Sequence, residues 1–277
     1  MNSKYLFSIF SFFLISTNAN SLELCGKVNQ GEFLIGKAGS DKQVYLNDEQ
    51  LITSPEGFFL LAFGRDEGNT QNIKIVENLG GENSYKFEVA PTSWDVQNIK
   101  GVPPRKVTPS DSDLEAIELE RKVVRTSLKD ILPTTFWRSG FVRPVEGRVS
   151  GKFGGQRIMN NIPKNPHQGM DIAAKEGTPV KSTADGKVVL AYPDLFYSGN
   201  VIIIDHGFGL QTIYAHLKDM NVKRGDIVKQ GDVIGSVGKT GRVTGPHLHW
   251  GASLRNVRFN PQSLLDMENN HKKCLKL

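Results

Sequence analysis

Thr244-Gly245-Pro246-His247-Leu248-His249-Trp250-Gly251 is the stretch on which the reading of this chain turns. If it is extended, His247 and His249 project to one face, because strand side chains alternate with a period of two. Upstream, His167-Gln168-Gly169-Met170-Asp171 carries a second pair. Spacing i,i+4 puts His167 and Asp171 on one face of a strand or a helix; Gly169, with Pro163 and Pro166 just before, argues against helix. Imidazole and carboxylate are ligands that a tetrahedral Zn²⁺ accepts. Three ligands from the two segments leave a fourth position for water, the arrangement of a catalytic zinc site.

Around these pairs the second half of the chain, Thr135 to about Leu265, reads as glycine-punctuated β structure. Strand-like runs occupy Gly186 to Ala191, Asn200 to Asp205 and Leu210 to His216. Gly147 to Gly155 holds Arg148, Lys152 and four glycines, but it lacks the terminal Gly-Lys-Ser/Thr of a phosphate-cradling loop. Gly225-Asp226-Ile227-Val228 is echoed in Gly231-Asp232-Val233-Ile234, as in biotinyl and lipoyl carrier domains. No Met-Lys-Met-like tip accompanies the echo, so tight turns explain it better. His206, in Asp205-His206-Gly207, is read as a satisfied structural residue, whereas His216 joins the two pairs as a site candidate.

Working toward the N-terminus, Ser112 and Glu115 form a capping box opening a helix with Leu114, Ile117, Val124, Leu128 and Ile131 at helical spacing. Pro133 is expected to end it, and its charges to form a solvated face. Val102-Pro103-Pro104-Arg105 and Thr108-Pro109 mark an extended linker before it. From residue 20 to about 90, short apolar runs at Phe33 to Ile35, Val44 to Leu46, Gly57 to Phe63, Ile73 to Val76 and Tyr85 to Val89 predict a small all-β, sandwich-like module. Lys4, the apolar run Tyr5 to Ile15 and Ser16-Thr17-Asn18-Ala19 have the layout of a secretory signal peptide cleaved after Ala19. That run is too short to span a membrane, and Glu23 and Leu24 before Cys25 are poor lipobox residues.

The 277 residues thus divide into a signal peptide (1–19), the β module (20–90), a linker and helix (91–134), the histidine-bearing domain (135–268) and a polar, frayed tail (269–277). Hydrophobic and charged fractions of 38% and 23% are those of an ordinary soluble protein with real cores. A net charge of +5 suits an anionic polymer such as a cell wall, and the absence of a basic run interleaved with aromatics disfavours nucleic acid. Cys25 and Cys274, the two cysteines, either pair in an oxidising compartment or remain free thiols in mobile ends.

His167 to Ile172, Val201 to Gly207, Tyr214 to Leu217, Gly225-Asp226, Gly238 to Gly241 and Thr244 to His249 resemble, in order, the motif series of the lysostaphin/LytM-type zinc metallopeptidases. The similarity covers roughly Gly140 to Leu265, and the upstream module and helix resemble those of a bacterial subgroup. It implies an antiparallel β-sheet with a groove over one zinc ion, and cleavage of peptide bonds in peptidoglycan. It further implies His167, Asp171 and His249 as the zinc ligands, and His216 and His247 as unligated catalytic histidines. Some family members follow the last histidine with an aromatic and then an acidic residue; here Trp250 is followed by Gly251. The expectation is an exported, peptidoglycan-hydrolysing zinc endopeptidase of the bacterial periplasm or envelope, with no membrane segment once the leader is removed. The alternative is a non-catalytic cell-wall-binding regulator of another hydrolase, and the oligomeric state and the bond cut stay open.

Overall fold

From His247 onward the two-histidine segment is a strand, His247–Leu254, whose Leu248, Trp250, Ala252 and Leu254 are buried. A computed structural model describes residues 22–68, 70–78, 80–268 and 274–275, together with the backbone of 13–15. Most of the expected signal peptide therefore lies outside the described residues. The histidine strand sits inside a sheet ordered Arg148–Gly151, Met170–Ala173, His247–Leu254, Leu210–Met220, Gly199–Asp205, Gly186–Leu195 and Ile227–Val228, every pairing antiparallel. The structure is mostly β, as the sequence predicts.

The upstream module consists of two sheets. Leu22–Cys25, Phe33–Lys37 and Phe58–Ala62 pair in one, and Lys42–Leu46, Thr70–Glu77 and Gly81–Glu88 in the other. Leu34, Val44, Phe59, Leu61, Ile73 and Ile75 fill the space between them. Phe58–Ala62 is buried at all five positions, because Phe58, Leu60 and Ala62 point the opposite way, into the core behind the histidine sheet. A strand covered on both faces loses its polar alternation, which accounts for the unbroken Phe-Phe-Leu-Leu run. Phe33 stacks on Phe259 with centroids 5.4 Å apart. Each such side chain contributes roughly 1.5–3 kcal/mol on burial, so the module is a fixed backing for the sheet rather than a tethered appendage.

The linker carries structure of its own. Val96–Ile99 pairs in parallel with Gln156–Met159, and Pro104–Val107 is a short helix. The long helix spans Asp111–Ser127, and its capping box is Ser110 with Asp113, not Ser112 with Glu115. Both pairs satisfy the sequence rule. Asp113 prevails because it is buried and held by Arg105, whose Nε donates to Oδ2 at 2.9 Å. The helix stops at Ser127, short of Pro133, so Ile131 lies beyond it, and Leu114 is exposed rather than on the packed face. Val123, Val124 and Leu128 pack on Leu190, Val201, Ile213 and Ala215 of the sheet.

Gly225-Asp226 and Gly231-Asp232 are turns of one design: Lys223 N–H donates to Asp226 at 2.9 Å and Lys229 N–H to Asp232 at 2.8 Å. Gly154 and Gly155 meet the main chain of His167 instead of forming a phosphate cradle. His206 is fully buried; its Nδ1–H donates to the Asp185 carbonyl at 2.7 Å, and its Nε2 lies 2.7 Å from Thr212 Oγ1. Cys25 and Cys274 form a disulfide with Cα atoms 5.7 Å apart, which corrects the expectation of a wholly frayed tail. Residues 269–273 and 276–277 lie outside the described residues.

Two outcomes follow. The disulfide closes a separation of 249 residues, so Cys274→Ser should lower the unfolding free energy by about 5 kcal/mol, read by chemical denaturation without reductant. Burial lowers the His206 pKa to about 4, so its neutral form supports the fold fully above the unfolded value near 6.5 and that support is lost as pH falls toward 4. The neighbouring Asp205, raised to about 6 by burial, acts with the opposite slope. Relative to His206→Gln, which keeps Asp205 but does not titrate at residue 206, the native chain should lose about 3 kcal/mol more between pH 6.5 and 4 in denaturant titrations.

Candidate metal centre

Pairing of Met170–Ala173 with His247–Leu254 sets Asp171 directly opposite His249, on the face turned away from buried Leu248 and Trp250. Directly opposed residues of an antiparallel pair have Cβ atoms about 5 Å apart, close enough for their side chains to meet. Asp171 Oδ1 lies 2.8 Å from His249 Nδ1. His167 stands in the loop just before the aspartate strand, and its Nε2 is 3.0 Å from His249 Nδ1 and 3.0 Å from Asp171 Oδ1. The ligand atoms of all three residues lie within 4.8 Å of one another. Gly169 makes this approach feasible, since a Cβ there would stand 2.7 Å from the His249 ring.

The hydrogen bonds around the trio favour a cation. His167 Nδ1–H donates to the Lys152 carbonyl at 2.9 Å, which leaves the Nε2 lone pair facing Asp171. A lone pair and a carboxylate oxygen 3.0 Å apart require a proton or a metal between them. Arg157 donates to Asp171 Oδ2, and Gln97 Oε1 accepts from Arg157 Nε at 3.4 Å. Burial by itself would raise the Asp171 carboxyl; the imidazoles of His167 and His249 beside it outweigh that and hold the group well below the usual carboxylate range. Burial pushes His249 down to about 4, against the pull of Asp171. Near neutrality the trio is therefore a carboxylate and an uncharged imidazole at His249, the states a metal needs.

His247 and His216 complete the cluster. His247 is two residues from His249 on the same face; its Nδ1–H donates to the Gly245 carbonyl at 2.9 Å, and its Nε2 is 3.8 Å from Asp171 Oδ1. His216 arrives by a different route. Ala215 pairs with His249, so regular alternation would send His216 into the core. Instead the strand bulges: three residue steps, Tyr214 to Leu217, oppose two on the neighbouring strand, Ile202 to Asn200, and His216 takes φ +63°. That conformation costs a non-glycine residue about 1 kcal/mol and returns the imidazole to the site face. Its ring centroid lies 4.9 Å from His247 and 5.9 Å from His249. Its Nδ1–H donates to the Thr240 carbonyl at 2.9 Å, and burial, with His249 and His247 adding to it, drives its pKa well down.

All five residues singled out in the sequence thus meet at one place, and His167, His216 and His249 line an open groove of about 740 Å³. Sequence reasoning missed Arg157, Tyr197 and Arg242 in the groove wall, because none of them shares a spacing with the histidines. It also missed Arg121: the helix, expected to present a solvated charged face, turns this residue to the groove.

Comparison with known proteins agrees with this geometry. Residues 165–261 match Peptidase family M23. Over 93 residues the chain is 46% identical to the peptidoglycan DD-endopeptidase ShyB of Vibrio cholerae, covering 33% of this chain and 21% of that protein. It is 45% identical over 98 residues to the DD-carboxypeptidase/endopeptidase Mpg of Neisseria meningitidis, covering 35% of this chain and 22% of that one. The chain therefore spans about a fifth of the length of these two relatives. A crystal structure of a candidate peptidase M23 from Pseudomonas aeruginosa superposes with a TM-score of 0.67 at 26% identity, covering 86% of this chain and 95% of that one. The residues around the His/Asp/His cluster form a domain of peptidase family M23.

Proposed function

We propose that this chain is an exported zinc metalloendopeptidase that hydrolyses peptide cross-links of peptidoglycan. The observation that carries the reading is the His167 and Asp171 lone-pair contact beside His249, with two further imidazoles on the same face. Two nitrogens and one carboxylate oxygen suit zinc and leave a position open to substrate. The names of the relatives supply the substrate class, and the leader-like N-terminus and the disulfide support export to an oxidising compartment.

His167, Asp171 and His249 would hold the ion. When bound, it supplies Lewis acidity toward the scissile carbonyl and makes water a competent nucleophile near pH 7. Arg157 occupies Oδ2 of Asp171 and so directs Oδ1 inward. Because Thr240 and Gly245 carbonyls take the Nδ1–H of His216 and His247, both rings keep an Nε2 lone pair. One Nε2 accepts the proton of the attacking water; a protonated ring then donates to the developing oxyanion or the leaving amine.

His249→Ala should abolish both zinc uptake, by metal analysis of the folded protein, and release of muropeptides from purified sacculi. His216→Ala should retain zinc and lose turnover by ~10²–10⁴-fold. Equal metal loss in both variants would overturn the division of roles, and a folded native protein that takes up no zinc would overturn the enzyme reading. Gly169→Ala changes no ligand, yet should weaken zinc binding at least ~10-fold in a chelator competition by pushing the His249 ring aside.

A further inference from the structure

The groove contains a cation with no counter-ion. The Arg242 guanidinium lies half-buried, 4.3 Å from the centroid of the Tyr197 ring, and among the described residues no carboxylate pairs with it. The other groove arginines are engaged: Arg157 with Asp171, and Arg121 with Glu118 at 3.3 Å. Burial pushes the Arg242 pKa down, as expected where a cation has lost water and gained no anion. Leaving a guanidinium so placed is costly unless an anion arrives with the ligand.

The wall behind it is fixed at several points. Arg242 N–H donates to the Tyr197 carbonyl at 2.9 Å, and His216 N–H to the Ser198 carbonyl at 2.8 Å. The preceding residue, Phe196, donates its N–H to the Glu120 carboxylate at 2.8 Å and accepts from Lys106 Nζ at 2.6 Å. The linker helices therefore clamp the loop that carries Tyr197, and the same loop holds His216. An anion received by Arg242 would lie in the groove that His216 and His249 also line, at a preorganised site.

We propose that Arg242, stacked on Tyr197, is a specificity-determining residue that receives a carboxylate borne by the substrate next to the scissile amide. A planar guanidinium braced by an aromatic ring presents its fork to carboxylate in a way an ammonium does not. In a cross-linked peptide this favours a diamino acid whose linked amine sits on a carbon that also carries a carboxylate, over one whose amine sits on a methylene. The inference rests on reading the groove as a peptide-cleaving site.

The test uses the full chain and two cross-linked peptides identical except that the carboxylate beside the scissile amide is free in one and a carboxamide in the other. With zinc, the native chain should prefer the free carboxylate by about 30-fold in kcat/KM, and Arg242→Gln should bring the two peptides level. Arg242→Lys should restore only part of the preference, and Lys164→Gln, another groove cation, should leave it in place. The same ranking is expected in calorimetric binding to the metal-free chain. No preference in the native chain, or one that survives Arg242→Gln, overturns the proposal. If Arg242→Gln does not fold, Arg242→Lys and the native discrimination decide it. Failure to cleave either peptide, with the binding preference intact, would sink the peptidase reading and leave the assignment of Arg242 standing.

Discussion

The pairing of Met170–Ala173 with His247–Leu254 is the constraint from which the site follows. Register in a sheet is unforgiving, since a slip of one residue exchanges its two faces. Here the register is held by what lies behind it. Leu248 and Trp250 are fully buried against Tyr214 and the core shared with Phe33 and Leu60. A slip would bring His249 into that core and expose Trp250. The burial that stabilises the fold therefore also keeps Asp171 and His249 within hydrogen-bonding distance.

Three of the four imidazoles of the cluster have their nitrogens assigned by main-chain neighbours. Main-chain carbonyls of Lys152, Thr240 and Gly245 take one proton each from His167, His216 and His247. Those carbonyls belong to loops, and the loops are held in turn by distant parts of the chain. Gln97, from the linker strand, reaches both Arg157 and the Lys152 carbonyl. The linker strand thus bears on the site through the loop that carries Lys152.

Much of this was legible because alternation and the His-x-His pair act locally: a residue two along a strand returns to the same face whatever surrounds it. His247, His249 and most of the strands follow from that rule, and His167 with Asp171 from their i,i+4 spacing. The long helix was legible in kind, but its cap was not, because two overlapping Ser-x-x-acid patterns compete and the winner depends on Arg105. His216 was found by motif, yet its placement on the site face defeats alternation and depends on a bulge that leaves no mark in composition. Arg157, Tyr197 and Arg242 act through contacts between residues 14 to 45 positions apart, and no local pattern encodes those.

The Cys25–Cys274 bond joins the first strand of the upstream module to the far end of the chain. A protease cutting anywhere between them would give a two-chain molecule instead of two fragments. Severing the linker near Pro103 or Pro109 would accordingly leave the module bound to the histidine-bearing sheet by covalent and apolar contacts together. Such a nick would add only a water to the mass, and the two polypeptides would migrate as one on a non-reducing gel until a thiol reductant released them.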